Sequence, residues 1–447
     1  MEARTPFVGR RAEVEYVLQH IHALCHGTAP QICLLNLCGV YGIGKSALLQ
    51  ELAQRATAYE DLVCLTLRLP ALPMEAKALT LAARQAIIHQ LHPADGELPP
   101  DDATADGALA ACAAALLRRR APILLLIEAE ERHATLAFGW IERGLLLPLV
   151  RANRLVAPIT SHAPLRWREL DTRRRAESRA LTPLSLQETA NHLALTQSVA
   201  ATLYPFTRGL PLANAVARVL LEEAPDPLRW SDATQGELLA RIAQQLYARV
   251  GPELTNDLRC ACETLAVARE FTIPLLQQLL TLCAPPEQPR NQAFQLMLVR
   301  QLQELDLVVW EQQSNSWRVV PMLRQIIAKG LRYHDPQRYQ QIQQLACSYY
   351  RQMLDEVIVA RHLHLAELLW HTMERQHTNG TTAADLLRHF VRTYLVSPDG
   401  QQVDYAALNA LRNRLLTDFD QSAAFDDQTP NLAALVAILD QTMAELV

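Results

Sequence analysis

The sequence predicts a parallel β-sheet with helices on both faces, followed by an almost wholly helical remainder that one β-hairpin interrupts. Up to residue 182, short apolar runs alternate with segments of helical spacing, and parallel strands need crossover connections of that kind. One of these runs leads directly into a glycine-rich turn and a helix. Composition carries the second half: of 447 residues 50% are hydrophobic and 20% charged, with only 15 Gly and 6% aromatics. The chain is rich in Ala, Leu, Gln and Arg, which lose little rotamer freedom in a helix. Disorder, collagen and all-β architectures fit poorly.

Gln31 to Leu37 reads as the first strand and Ser46 to Ala58 as the helix after the turn. Further strands are expected at Leu62 to Leu67, Ile123 to Ile127 and Arg154 to Thr160. Helices are expected at Met74 to His92, Gly107 to Arg119 and Phe138 to Val150, with Pro93 to Asp106 a loop rich in Pro and Asp. Beyond residue 182 the strand signal stops, and Ser185-Leu-Gln-Glu188 is a capping box that opens a helical stretch running to Glu223. Ala224-Pro-Asp-Pro227 is a linker by composition. From Leu254 three helices precede two short strands, Leu307 to Glu311 and Ser316 to Val320, the outline of a winged helix. The rest is helical: His334-Asp-Pro336 opens one helix and Asn379-Gly380 closes another. No fixed period supports a solenoid.

A net charge of -5 gives no global footprint for nucleic acid or anionic lipid. The longest apolar stretches, Ala108 to Leu117 and Ile123 to Ile127, fall short of a membrane span, and the first residues lack a signal-peptide core. Nine cysteines, with no Cys-x-x-Cys, include Cys33, Cys38, Cys64 and Cys347 inside apolar stretches. They read as reduced thiols of a cytoplasmic protein.

Gly39-Val-Tyr-Gly42-Ile-Gly44-Lys45-Ser46 satisfies G-x-x-x-x-G-K-[ST] between a strand and a helix. Glycines let consecutive N–H groups converge on phosphate oxygens, and the helix start adds its positive dipole end. Lys45 would reach the β- and γ-phosphates and Ser46 would ligate Mg²⁺. Lys45 is one of only three lysines in an arginine-rich chain, which favours a role for a compact point charge. The metal-binding acid expected at the end of a buried strand is Glu128, followed by Ala129, Glu130 and Glu131. Glutamate is longer than the usual aspartate, and Mg²⁺ demands near-ideal octahedral geometry. Glu128 therefore either holds the metal through water or is a charged strand terminus without a metal role. Glu130 or Glu131 is a weaker candidate for polarising the attacking water.

These motifs have an order. Phe7-Val8-Gly9-Arg10-Arg11-Ala-Glu13, the phosphate loop, the strand ending in Glu128, Arg154 to Trp167, Leu181-Thr-Pro-Leu184-Ser185 with Glu188, and Gly209-Leu210-Pro211 follow one another. Together they resemble the STAND NTPases, the signal transduction ATPases with numerous domains, kin to NB-ARC and apoptotic ATPases. The resemblance spans residues 5 to 333. It implies an α/β P-loop NTPase domain (parallel sheet, helices on both faces) over residues 1–182, a small helical domain over 183–228, to about 250 with its linker, and a winged-helix domain over 251–334. An all-α C-terminal region would follow, as a helical extension over 335–379 and a small helical domain over 380–447.

The resemblance further implies a switch that closes around ADP and opens when ATP replaces it. Val8, Gly9 and Arg10 would border adenine and Pro211 would cap it; Gly39, Gly42, Ile43, Gly44, Lys45, Ser46 and Ala47 would hold the phosphates. Lys45 and Glu128 would be the catalytic pair, and Ser46 and Glu128 the Mg²⁺ ligands. Three departures bear on turnover. His162 stands where the family places an arginine sensor, Glu128 replaces aspartate, and Val320 or its neighbour replaces the histidine that meets the β-phosphate of ADP. Imidazole is shorter than guanidinium and mostly uncharged at neutral pH. Backbone amides and Lys45 grip phosphates, whereas hydrolysis needs the altered groups.

The expectation is a switch or scaffold in bacterial regulation or defence with slow or weak ATPase activity. A module beginning near residue 5 leaves no N-terminal effector domain, so output would come from a protein partner at the C-terminal helices, from homo-oligomers formed on activation, or from another protein. A second reading is an inactive P-loop interaction module with nucleotide as a structural ligand. A third is a DNA-associated ATPase, resembling the origin-recognition group, that uses its winged helix. Asn291 to Glu304 disfavours DNA readout, offering only Arg300 after Arg290. Arg118 to Arg120 and Arg173 to Arg175 read as solvated ends, and His362, His364 and His371 as packing or surface residues rather than metal ligands. Trp310, Trp317 and Trp370 read as core or hairpin anchors.

Overall fold

The structure, a computed structural model, describes residues 7–69, 105–129, 134–251, 254–283, 292–312, 314–357, 360–376, 383–397, 402–422 and 432–445. The expected helix Met74 to His92, the loop from Pro93 to residue 104, Glu130, Glu131, Arg290, Asn291 and Asn379-Gly380 lie outside the described residues. By internal contacts the chain forms two compact units, Met1–Ala200 with Gly209–Ala215, and Ala201–Arg208 with Val216–Val447.

The first unit is a five-stranded, all-parallel sheet in the order β2-β3-β4-β1-β5. Helix α1 (Arg11–Cys25) precedes β1 (Leu34–Cys38), and α2 (Lys45–Ala56) follows it. Next come β2 (Val63–Leu69), α3 (Ala105–Arg118) and β3 (Ile123–Ala129). Strand β3 is a continuous apolar run because both its faces are covered. Ile123, Leu125 and Ile127 pack on Leu109, Cys112 and Leu116 of α3 and on Ile141, Leu145 and Leu149. By the alternation of a strand, Leu124, Leu126 and Glu128 point to the opposite face. There α1 contributes Val14, Val17 and Ile21, and α2 contributes Leu48, Leu49 and Leu52, all buried.

The helix expected over Phe138 to Val150 is three pieces: α4 (Ala134–Ile141), a π turn over Glu142–Leu146 and α5 (Leu147–Arg151). Pro148 lacks the N–H that a regular helix would direct to the carbonyl of Gly144, so the ladder changes register there. Strand β4 (Leu155–Ser161) is wholly buried. A short α6 (Leu170–Arg174) then leads to β5 (Ala176–Ala180), which the sequence pattern did not mark as a strand. Among the described residues it pairs only with β1, and its own residues are half-buried or exposed. Glu177 accepts from the Tyr16 hydroxyl at 2.5 Å, and the Arg179 guanidinium lies 3.4 Å from the centre of the Tyr16 ring. Helix α7 (Leu186–Leu193) opens on the expected capping box: Ser185 Oγ accepts from Glu188 N at 3.2 Å, and Glu188 Oε2 accepts from Ser185 N at 2.8 Å. Then follow α8 (Gln197–Thr207) and α9 (Pro211–Glu223).

The second unit is helical. It runs through α10 (Asp232–Val250), α11 (Asn256–Val267), α12 (Ile273–Leu279) and α13 (Gln292–Glu304) to a hairpin of β6 (Val308–Glu311) and β7 (Ser316–Val319). Trp317 stacks on buried Phe271, and Trp310 meets Trp317 edge-on, so both tryptophans anchor the hairpin. Helices α14 (Pro321–His334), α15 (Pro336–Glu356), α16 (Arg361–Gln376), α17 (Ala383–Tyr394), α18 (Tyr405–Ser422) and α19 (Leu432–Glu445) complete it. Glu367 is buried and accepts from Arg269 Nη2 at 2.8 Å and from its Nε at 3.1 Å. His371 is buried beside Gln343 Oε1 at 2.5 Å, and desolvation pushes its imidazole down to about 3, so it packs as a neutral ring. No helix among the described residues is long and apolar enough to cross a membrane.

Leu126 is fully buried at the centre of the sheet. Leu126→Ala is expected to cost about 3 kcal/mol of stability, from lost transfer energy plus a cavity, measured as a lower denaturation midpoint in urea.

Candidate functional site

The carboxyl ends of the central strands share one edge, because the register places Cys38 beside both Ser161 and Ala180, and Glu128 beside Thr160. Open α/β sheets bind ligands at such an edge. Here the chain leaves β1 at Gly39 and enters α2 at Lys45, so the glycine-rich loop lies on that edge. This arrangement, with β1 between β4 and β5, is a P-loop NTPase fold.

The loop's backbone is fixed from two sides. Gly39 N donates to the Ser161 carbonyl at 3.1 Å, and Gly42 O accepts from Leu212 N at 3.1 Å. Gly42 has φ +76°, and a Cβ there would lie 2.6 Å from Leu212 Cβ, so both the turn and the close approach require glycine. Gly44 caps α2 with φ +95°, and Pro211 packs on it at 3.5 Å from where a Cβ would stand. The Lys45 ammonium donates to the carbonyls of Gly39 at 2.7 Å and Val40 at 3.1 Å. The first N–H groups of α2 have no partner within the helix, so they and the dipole favour an anion at this end.

Beside the loop lies a cavity of about 720 Å³. Val8, Arg10, Ile43, Gly44, Ala47 and Pro211, all named from sequence, line it. Phe7, Leu184 and His192 line it too, and so do Gln50, Glu51 and Gln54 on α2, which the sequence reading did not single out. The signal for the last three was available: they lie one and two turns beyond Ser46 on a helix already placed. Apolar walls with a few polar groups suit a flat heterocycle.

Arg10 takes φ +59°, an uncommon conformation for a residue with a side chain. Gly9 before it has φ +76°, and a Cβ would strike Leu184 Cδ2 at 2.7 Å and Glu188 Oε1 at 2.9 Å. The buried Arg10 guanidinium donates from Nη2 to the Ile43 carbonyl at 3.1 Å and from Nη1 to Glu13 at 3.4 Å. Desolvation draws its basicity below that of an ordinary arginine. Arg10 thereby joins the start of α1 to the phosphate loop.

Glu128 is mostly buried and ion-paired, its Oε2 3.1 Å from Arg68 Nε on neighbouring β2. The His162 ring, immediately after β4, packs at a tilt on Tyr41 with centroids 4.0 Å apart. Ser46 lies in the first turn of α2. Ser46 and Glu128 offer the hard oxygens that Mg²⁺ takes. No three His, Cys, Asp or Glu side chains converge on one point among the described residues. A divalent ion here would draw most of its shell from water and phosphate, as Mg²⁺ commonly does.

Two supports of this edge were missed. Asn36 is a buried amide inside the apolar run of β1. Its Nδ2 donates to Ser161 Oγ at 2.7 Å, and its Oδ1 accepts from Leu165 N at 3.0 Å and Ser178 Oγ at 3.1 Å. Glu142 is fully buried in the π turn. It accepts from Arg168 N and Glu169 N, each at 3.0 Å, and from the Thr172 hydroxyl. The carboxylate thus holds the segment after β4, on which His162 lies.

No protein-family model and no curated protein matches the chain. Among solved structures it is similar to the ORC2 protein of Aeropyrum pernix in its ADPNP–ADP complexes, at 15% identity over 74% of this chain and 96% of that one, with a TM-score of 0.42. It is also similar to the ORC1 protein of Aeropyrum pernix in complex with DNA, at 14% identity over 74% and 94%, TM-score 0.43. A third is a signal transduction ATPase with numerous domains and a tetratricopeptide repeat sensor from Pyrococcus horikoshii. That likeness has 13% identity, covers 100% of this chain and 58% of that one, and has a TM-score of 0.32. At such identities and scores these neighbours assign no residue a role.

While the Thr172 hydroxyl keeps the Glu169 carbonyl at 2.9 Å, Glu142→Ala would remove the acceptor of two backbone donors, Arg168 N and Glu169 N. It is expected to lower stability by about 3 kcal/mol and to speed proteolysis or amide exchange over residues 162–172, while Glu142→Gln, which keeps an acceptor, loses less.

Proposed function

We propose that the chain is a nucleotide-dependent switch or scaffold of the STAND type that holds ATP or ADP on the loop Gly39 to Ser46 and hydrolyses ATP slowly. The observation that supports it is the loop itself: two left-handed glycines, an ammonium folded onto the loop, and a helix start aimed at one strand edge. Loop N–H groups and Lys45 bind the β- and γ-phosphates, and the base enters the cavity between Val8 and Pro211. Arg10, hydrogen-bonded to the Ile43 carbonyl, passes a change in the loop to the base-side segment. Ser46 and Glu128 hold Mg²⁺. When bound, the metal neutralises charge on the phosphate oxygens.

Slow turnover follows from three groups. Arg68 competes for Glu128, Glu128 is longer than the aspartate such a site usually carries, and His162 offers the γ-phosphate less positive charge than a guanidinium would. The Arg68–Glu128 pair also favours the second reading, in which nucleotide is a structural ligand of an inactive interaction module. Protein partners are assigned to the C-terminal helices and homo-oligomers to the activated form. The DNA reading is the weakest, since Arg300 on α13 is paired with Glu304 at 3.1 Å.

Protein denatured as isolated is expected to release ADP or ATP, identified by chromatography. Lys45→Ala should weaken binding at least about a hundredfold by calorimetry, the loss of a charge-assisted phosphate contact. Neither released nucleotide nor heat on titration with ATP or ADP and Mg²⁺ would refute the proposal. Phosphate release abolished by Lys45→Ala supports the switch, and tight binding without release supports the inactive module. Arg68→Ala, which frees Glu128, should raise any turnover several-fold.

A further inference from the structure

Two cysteines of the second unit meet beneath one guanidinium. Cys260 lies in α11, and Cys283 ends the 3₁₀ turn Leu280–Leu282 that extends α12. Cys283 Sγ donates to the Cys260 carbonyl at 3.1 Å, and Cys260 Sγ lies 3.9 Å from the Cys283 carbonyl. Arg338, in the first turn of α15, places Nη2 3.0 Å from Cys260 Sγ and 3.5 Å from Cys283 Sγ. Thr264 Oγ1 is 2.8 Å from Cys283 Sγ. Glu263 braces the guanidinium from its other side at 3.3 Å.

A neutral thiol is a poor acceptor for a guanidinium, whereas a thiolate is a good one. The hydrogen bond from Cys260 lowers the Cys283 thiol below the ordinary range, and Thr264 and Arg338 add to this against the opposing effect of burial. Cys260 is pushed up by the same bond and by burial. Deprotonation of Cys283 leaves the Cys260 carbonyl served, because Arg338 Nη2 donates to it at 2.9 Å. Both cysteines are partly exposed, whereas Cys33, Cys38, Cys112, Cys262 and Cys347 are buried. Two residues from Cys260, fully buried Cys262 is pushed up to about 12 by desolvation.

We propose that Cys283 and Cys260 are a hydroperoxide-responsive thiol pair, with Cys283 the attacking and Cys260 the resolving sulfur. Cys283 thiolate attacks one peroxide oxygen. An S–O bond forms, the O–O bond breaks, and the leaving hydroxide takes a proton to become water. Cys260 sulfur then attacks Cys283 sulfur: the S–S bond forms, the S–O bond breaks, and the hydroxyl leaves as water with the Cys260 proton. Two electrons pass from the sulfurs to the peroxide. The disulfide carries no charge, so Arg338 loses an anionic partner and the tie between α15 and the turn after α12 weakens, while its bonds to Glu263 and to the Cys260 carbonyl on α11 remain. Arg338 acts through the sulfurs and is a positioning residue.

The test treats the reduced 447-residue chain with one equivalent of hydrogen peroxide at neutral pH, blocks residual thiols by alkylation, and maps peptides by mass spectrometry. The expected product is a cross-linked pair containing Cys260 and Cys283, reversed by dithiothreitol, with Cys262 still alkylated. In C260S a sulfenate probe should label Cys283, and in C283S it should leave Cys260 unlabelled. R338Q should slow cross-linking about tenfold and move its pH midpoint upward, with R338K restoring most of the rate; among the described residues Arg338 and Glu263 are the charged groups against the pair. Free thiols at both positions after peroxide, a bridge involving another cysteine, or an unchanged rate in R338Q would overturn the proposal. The first two outcomes need no variant, so a variant that misfolds does not shield it.

Discussion

The Asn36 amide stands in an inner strand of a sheet covered on both faces, where an unpaired polar group would cost more than its bonds contribute. Its two ends therefore have to be matched: Nδ2 to Ser161 on one neighbour, Oδ1 to Ser178 on the other and to Leu165 beyond β4. These bonds fix β4, β1 and β5 at one level. They also fix the start of the segment bearing His162. The phosphate loop leaves β1 at Gly39, directly after Cys38, and inherits that alignment through its bond to the Ser161 carbonyl.

A second constraint is steric. Leu212 and Pro211 lie so close to Gly42 and Gly44 that the loop and the start of α9 have to be shaped together. The bond from Leu212 N to the Gly42 carbonyl adds direction to that contact. Arg10 does the same from the opposite end of the unit's sequence, through the Ile43 carbonyl. Segments far apart in the chain thus answer to one short loop.

The sheet's interior and its phosphate loop were legible because their signals are local. Ile123 to Ile127 is apolar without a break, and Gly39 to Ser46 carries its spacing within a single short motif. Ser185 and Glu188 form a capping box within a single turn. What escaped is long-range or polar. Ala176 to Ala180 carries no strand pattern, since an edge strand held by one neighbour needs no apolar alternation. Glu142 looks like any helical acid until the backbone N–H groups of Arg168 and Glu169 arrive beside it. Cys260 and Cys283 are 23 residues apart, and only the turn after α12 reveals them as neighbours.

The modest strand β5 has a consequence for the molecule's behaviour in a crowded solution. A sheet that ended on an apolar margin would offer its unused N–H and C=O groups as a template for another chain. Here the margin is five residues long, carries Glu177 and Arg179, and is overlaid by the Tyr16 ring from α1. Charge and a covering aromatic make the addition of a foreign strand costly, so the sheet is terminated on this side by chemistry rather than by length alone.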